Sequence, residues 1–417
     1  MIKQVPRHNR EMEIQVGPFD GEPRDFFGAG ERAFGERLRD EDLPVWEPLF
    51  EADRAIAARD GDLVVGTAGV YSFELTVPGG VLPAAGVTLV GVHPTHRRRG
   101  ILRRMMRAQL DAIHDRGEPL AMLWASEGNI YQRFGYGLAT LRTRLSIDRD
   151  RSDFRTPREP AGSVRFVEVE EAKRLFPPVH DAVRTHRPGF VARTPAFWDG
   201  EIFHDPEHFR HGGGPAWHVV HEVAGQVDGY VRYRIRDEWD HTGPKSTLMV
   251  NELMAANPLA HLDLWQYLLG IDLMGKLEAW NVAPDDPIIL NAAEPRRLGI
   301  GVGDALWLRV VDVPGALAGR RYGTDGRLVV EVTDEFCAWN EGRWTLRVED
   351  GVPVTEPSTD APDVACDVTD LAAAYLGAFS FTQLADAVRV SELAPGGLAR
   401  ADALFRTVRP PWCPRVF

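Results

Sequence analysis

The sequence predicts a mixed α/β and α+β protein of several units in series, and three stretches carry that expectation. An apolar run, Val87-Thr88-Leu89-Val90-Gly91-Val92, ends in an arginine-rich loop that leads into an amphipathic helical pattern. Residues 216–270 repeat the order of strands, turn and helix. From about residue 303, strands precede helices, which reads as α+β. A chain of 417 residues exceeds one ordinary domain.

The first ten residues are polar, without signal-peptide character, and no apolar run approaches a membrane span. A cytoplasmic protein with no membrane partner is expected. Cys337, Cys366 and Cys413 are odd in number and far from metal-ligand spacing, which fits a reducing compartment. A formal net charge of −13 argues against nucleic acid as a partner. It suits a cationic small substrate, although solubility is the better explanation of the overall charge.

Residues 23–60 read as a helix-rich lead-in. There Phe26, Phe27, Phe34, Leu38, Trp46, Leu49 and Phe50 alternate with acids that include Glu36, Asp40, Glu41 and Asp42. Aromatics beside carboxylates suit a pocket for an amine, with Phe34, Glu36 and Trp46 as candidates; they serve equally as a helix face over a core. Short apolar runs at 55–57, 63–71 and 73–77, punctuated by Asp60-Gly61 and Pro78-Gly79-Gly80, predict an antiparallel meander.

The strand that ends at Val92 opens into His93-Pro94-Thr95-His96-Arg97-Arg98-Arg99-Gly100. Amides of the loop and first helical turn lack intrahelical partners, and the helix start carries partial positive charge, so an anion such as a phosphate satisfies both. Ile101, Leu102, Met105, Met106, Leu110 and Ile113 share one face of the helix, and Gly117 suits its stop. Residues 120–125 form a buried strand, 126–137 an aromatic loop and 141–147 a further strand.

A Pro- and Gly-bearing stretch at 157–162 reads as a linker. The second unit is expected to hold helices at 168–175 and 179–185, strands at 216–222, 226–235 and 247–254, then a turn at Asn257-Pro258 and a helix to Gly270. It is a weak internal duplication of the first. His204, His208, His211, His218 and His221 invite a metal, yet Pro206 and Gly212-Gly213-Gly214 break the alignment, and no metal is expected. In the third unit, strands at 307–311, 326–333 and 343–348 precede helices at 368–376, 381–387 and 398–405.

Arg97-Arg98-Arg99-Gly100-Ile101-Leu102 resembles the phosphate loop of the GNAT N-acetyltransferase superfamily, Arg/Gln-x-x-Gly-x-Gly/Ala, with Leu102 departing at the last position. Together with Ala125-Ser126-Glu127-Gly128, Ile130-Tyr131-x-Arg133-Phe134-Gly135-Tyr136-Gly137, Leu306-Trp307-Leu308-Arg309 and Val313-Pro314, it resembles the enhanced intracellular survival (Eis) family along its whole length. The resemblance implies a catalytic GNAT domain at 1–150, a degenerate GNAT-like copy at 151–302, and a sterol-carrier-protein-like domain at 303–417 whose end reaches the active site.

The resemblance also implies the roles. Acetyl-CoA is the co-substrate: backbone groups of Val90 and Val92 take the pantetheine arm, amides around Arg97, Arg98, Gly100 and Ile101 take the pyrophosphate, and Ser126 lies on the same side. The Val90 N–H serves the oxyanion and Tyr131 is the general acid, with Tyr136 structural. The α-carboxylate of Phe417 is the base. Glu36 matches an acidic pocket residue, whereas Val416 stands where aminoglycoside-modifying members carry glutamate and Trp124 where they carry histidine. The expected acceptor is therefore a primary amine of a small cationic molecule, aminoglycoside-like, polyamine or lysine-type, in a homo-oligomer that is hexameric by resemblance. The alternative is a non-catalytic acetyl-CoA- or lipid-binding module.

Overall fold

The structure is a computed structural model that describes residues 14–148 and 153–417. The polar stretch 1–10 and the expected boundary at 150/151 lie outside the described residues. Two compact units form: the described residues up to Tyr71 with Val87–Arg116, and Ser72–Gly86 with Gly117–Phe417.

The first unit contains β1 (Gln15–Pro18), α1 (Pro23–Phe34), α2 (Leu43–Trp46) and β2 (Ile56–Asp60). It continues through the first part of β3 (Leu63–Val77), the last part of β4 (Gly80–Val92) and α3 (Ile101–Asp115). β1 pairs antiparallel with β2, and β2 with β3. The two strands expected at 63–71 and 73–77 are one continuous strand, because no turn residue separates Tyr71 from Phe73. α1 starts with Pro23 and ends at Gly35 in the left-handed region. Phe26 and Ala29 of α1 pack with Phe19, Ala55, Ala57 and Val64. On α3 the predicted face is buried apart from the half-buried Leu102, and Gln109 joins it. The Gln109 side-chain amide donates to Gly69 O at 3.1 Å, so its burial leaves that donor satisfied.

In the second unit, Ala84, Ala85 and Gly86 of β4 pair in parallel with Leu120, Ala121 and Met122 of β5 (Leu120–Trp124). α4 (Gly128–Tyr131) and β6 (Gly137–Leu138) follow. Next come β7 (Leu141–Asp148), β8 (Ser163–Phe166), α5 (Val169–Arg184), α6 (Pro195–Phe197), β9 (Trp217–Val223) and β10 (Gln226–Arg236). After a small hairpin, β11 (Trp239–Asp240) with β12 (Gly243–Pro244), the chain forms β13 (Ser246–Ala255), α7 (Pro258–Gly270), β14 (Met274–Val282), α8 (Ile288–Asn291) and β15 (Gly301–Asp304). The sheet order is β15-β7-β14-β13-β10-β9-β8. Its core includes Leu145, Val231, Leu248, Leu264, Trp265 and Leu277.

α5 is one helix where two were expected: Pro177 and Pro178 lie inside it. Each proline removes a backbone donor, and burial of Ala172, Phe176, Val179 and His180 along one face holds the helix together.

The strand expected at 307–311 in the third unit is β16 (Leu306–Val310), and it belongs elsewhere. It inserts between β5 and β6, antiparallel to both. β7, expected with the first unit, pairs with β14 and β15. These are long-range pairings, which local pattern does not encode. After α9 (Val313–Ala318) come β17 (Gly326–Thr333), β18 (Gly342–Glu349), β19 (Val352–Pro357), β20 (Val364–Asp367), α10 (Val368–Tyr375), α11 (Phe381–Asp386), β21 (Val390–Glu392) and α12 (Gly397–Phe405). The five strands order as β19-β18-β17-β20-β21. Cys337, Cys366 and Cys413 are buried, and none forms a disulfide among the described residues. Among the described residues no helix is long and apolar enough to cross a membrane.

Candidate active site

In the first unit the chain leaves β4 at Val92, makes a short turn over Pro94–His96 and enters α3 at Gly100. Arg98 and Gly100 both adopt left-handed backbone, φ 63° and 74°. Gly100 meets this without a side chain, and a Cβ there would point into open space. Among the described residues no side-chain hydrogen bond caps α3 at Gly100. An uncapped helix start suits an anion such as a phosphate.

The loop is braced from below. His93 Nδ1 and His96 Nδ1 each lie within hydrogen-bond distance of the Thr95 hydroxyl, at 2.8 and 2.7 Å. His96 Nε2 lies 3.1 Å from an Asp60 carboxylate oxygen at the end of β2. Arg97 turns its guanidinium inward, donating to Val92 O at 3.3 Å and to Ala33 O at 2.9 Å. Its side-chain charge thus serves backbone carbonyls of β4 and α1. Arg98 and Arg99 are exposed.

Further along β4, Leu89 also has positive φ, 50°. For a residue with a branched side chain this costs about 1 kcal/mol or more. The Thr67 hydroxyl donates to Leu89 O at 2.7 Å and holds the distortion, which re-aims the backbone just before Val90. Ala33 of α1 fits against Gly91, with Phe34 beside it. Phe34 is half exposed, Trp46 packs on Phe27 with centroids 5.8 Å apart, and Glu36 is exposed just past the end of α1. The structure therefore gathers Val90, Val92 and the loop from Arg97 to Ile101, with Phe34 alongside Gly91. Thr67, Asp60 and His96 were missed. Their role arises from contacts far apart in sequence, although the quoted Pro94-Thr95-His96 text contains one end of the network.

In the second unit, α4 presents Tyr131, buried and 5.9 Å from the Tyr136 ring. Burial, assisted by the Glu127 charge, pushes the Tyr131 hydroxyl up to about 12. Tyr136 is fully buried, its hydroxyl without a partner among the described residues, and burial raises it further. Ser126 is exposed in the loop after β5. Trp124 is half buried against Trp280, 6.0 Å between ring centroids.

The tail is tied down along its length. The Trp412 amide donates to Pro188 O at 2.9 Å and its indole to Asn281 Oδ1 at 2.8 Å, while Asn281 donates to Cys413 O at 3.0 Å. Arg415 pairs with Glu201 at 3.1 Å. Burial pushes the Cys413 thiol up to about 11, with the Trp124 side chain drawing it back. Phe417 then lays its ring on Phe73 of β3, 4.9 Å between centroids. The same ring reaches Gly86, where a Cβ would lie 3.3 Å from Phe417 and 2.4 Å from the edge of the Phe73 ring. Gly86 is the last β4 residue paired with β5, so the anchored tail ends where these two strands stop pairing.

Residues 20–139 and 189–310 each match an acetyltransferase (GNAT) domain, and residues 313–414 match a sterol carrier protein domain. The fold is thus two GNAT domains followed by a sterol-carrier-like domain. An uncharacterized N-acetyltransferase of Streptomyces avermitilis is 42% identical over 93% of this chain and 95% of its own. N-acetyltransferase Eis of Mycobacterium tuberculosis is 35% identical over 89% of this chain and 92% of its own. The crystal structure of Eis1 from Mycobacterium abscessus superposes with a TM-score of 0.83 at 32% identity, covering 97% of this chain and 100% of that one. On this combination of domain order, length and identity, the chain belongs to the Eis family of GNAT N-acetyltransferases.

Proposed function

We propose that the enzyme moves the acetyl group of acetyl-CoA to a primary amine on a small cationic molecule, aminoglycoside-like, polyamine or lysine-type, by direct attack of the amine on the thioester. The observation that carries the co-substrate assignment is the uncapped start of α3 behind two left-handed residues, Arg98 and Gly100. Amides around Arg97, Arg98, Gly100 and Ile101 take the pyrophosphate, backbone groups of Val90 and Val92 take the pantetheine arm, and Ser126 contributes on that side. Residues 1–150 are the catalytic domain in this reading, 151–302 a copy without catalysis, and 303–417 the domain that delivers the tail. Three buried cysteines outside any disulfide among the described residues accord with a cytoplasmic location, and assembly as a homohexamer follows the family resemblance.

Three groups divide the chemistry. The Val90 N–H stabilises the oxyanion that forms as the nitrogen–carbon bond is made. The terminal carboxylate of Phe417 receives the proton of the ammonium; in water a carboxylate near 3.5 would take it from an amine near 10.4 only against about 9 kcal/mol. Desolvation penalises both charged groups and narrows that gap, which a seated aromatic residue favours. As the carbon–sulfur bond breaks, Tyr131 donates to the leaving sulfur. With its hydroxyl held at about 12, complete transfer to a thiolate of ordinary basicity is uphill by about 5 kcal/mol. Tyr131 therefore acts first as a hydrogen-bond donor to developing charge. Glu36, Phe34, Trp46 and Trp124 receive the amine, the carboxylate for its charge and the rings for its carbon frame.

Free-thiol release with acetyl-CoA and a panel of aminoglycosides, polyamines and lysine derivatives tests the reading. Turnover on at least one primary amine is expected, and no turnover on any would overturn the acceptor assignment.

A further inference from the structure

β13 and β14 run parallel from Ser246↔Met274 to Val250↔Ala279 and then part, β13 continuing to Ala255 and β14 to Val282. The fork holds a cavity of about 150 Å³. By chain order it is the counterpart of the β4–β5 pair, whose register ends at Gly86↔Met122. The second copy has kept the fork and lost the anion loop: Pro258 supplies no N–H, and Asn257 Oδ1 accepts from the Ala260 amide at 2.9 Å. A phosphate would find the helix start already capped.

The lining asks for something else. Phe190, Trp265 and Trp412 give it aromatic surface. Its carboxylates are engaged, Glu252 with Arg193 at 2.5 Å and Asp286 with His261 at 3.0 Å. The exposed Arg409 guanidinium, in contrast, has no partner among the described residues. Among the described residues, Arg187, buried and paired with Asp285, leaves its Nε without an acceptor, and the Asn251 side-chain oxygen is buried without a donor. Buried polar groups of this kind require a hydrogen-bonding partner.

We propose that this fork is a second, non-catalytic binding site for a small monocarboxylate with a flat apolar body and one hydroxyl or N–H donor. Its carboxylate sits on Arg409 and Arg187, its body lies against Trp412 and Phe190, and its donor satisfies Asn251. A cavity of this volume admits a body of about benzene size, which sets 4-hydroxybenzoate as the probe. Trp412 belongs to the tail that ends at Phe417, so the occupant touches the segment through which the tail is held.

Calorimetric titration of the full chain with 4-hydroxybenzoate should show saturable one-to-one binding. Arg409→Ala, an exposed change that spares the fold, should weaken it about tenfold, as should replacing the probe by the neutral 4-hydroxybenzamide. Ala279→Leu, which fills the cavity, should abolish it, with thermal melting as the control for folding. No saturable binding by the wild type, or binding that Arg409→Ala leaves unchanged, overturns the proposal. The measurement needs no acetyl transfer, so its outcome is separate from that of the acceptor panel.

Discussion

The rings of Phe73 and Phe417 meet edge to face, 4.9 Å between centroids and 64° between planes, and together they cover Gly86 at the end of the β4–β5 pairing. Gly86→Ala drives a methyl against the edge of the Phe73 ring, and overpacking of this kind costs about 1–3 kcal/mol of stability. Displacement of the Phe417 ring is expected to lower kcat about tenfold or more while acetyl-CoA binding is retained. Steady-state thiol release and calorimetry check this. Appending one glycine after Phe417 moves the carboxylate without touching the ring, and a fall of about 100-fold in kcat is expected from loss of the base. Unchanged turnover in the extended chain would remove Phe417 from the chemistry.

Tyr131→Phe should lower kcat by about 100-fold with acetyl-CoA affinity intact. Because burial raises the hydroxyl to about 12, the proton stays on Tyr131 throughout the range in which amines become nucleophilic. The alkaline limb of the kcat profile should therefore contain no loss from this group below about pH 11. A decline near pH 10 that vanishes in Tyr131→Phe would contradict the burial-driven shift.

At the loop proposed to hold the pyrophosphate, Gly100→Ala forces a side chain into left-handed backbone at a cost of about 1 kcal/mol. The expected result is a rise of about fivefold in the KM for acetyl-CoA and little change in kcat. Arg97→Ala should do the same by releasing Val92 O and Ala33 O. Lysine should restore little, since one ammonium does not reproduce the forked contact.

His180 is almost fully buried beside Phe190 and Trp198, and burial, with the Arg193 charge, lowers it from 6.5 to about 4. A depressed folded value means that the unfolded chain binds the proton more readily. The resulting stability is present above pH 6.5 and is lost as pH falls toward 4, by about 3 kcal/mol at most. Urea unfolding at pH 7, 5.5 and 4 should show His180→Leu losing less in acid than the wild type by about that amount. Parallel pH curves would show that His180 titrates normally.

Local pattern was sufficient for elements whose burial repeats at helical or strand spacing. α3, α10 and α12 fall within a residue or two of their expected ends, because Met105, Leu110, Leu371 and Leu404 lie on periodic apolar stripes. It failed where tertiary contacts decide. β19 carries Pro353 and Pro357 yet pairs with β18 along its length. Pro177 and Pro178 suggested a break that core packing overrides. At the candidate site, the glycine and arginines of the loop were legible because their chemistry is local. Thr67 and Gly86 were not, since one supports Leu89 from a neighbouring strand and the other lies under the Phe73 ring, with Phe417 beside it.

The insertion of β16 between β5 and β6 has a consequence for synthesis. During translation, β5 and β6 emerge long before residues 306–310, so the hydrogen-bonding edges that β16 will occupy must wait while the whole second sheet is made. Unpaired apolar strand edges invite pairing with other chains. A fragment truncated before β16 is therefore expected to aggregate on release from the ribosome, and the nascent chain has reason to engage a holding chaperone until Leu306 is available to close the sheet.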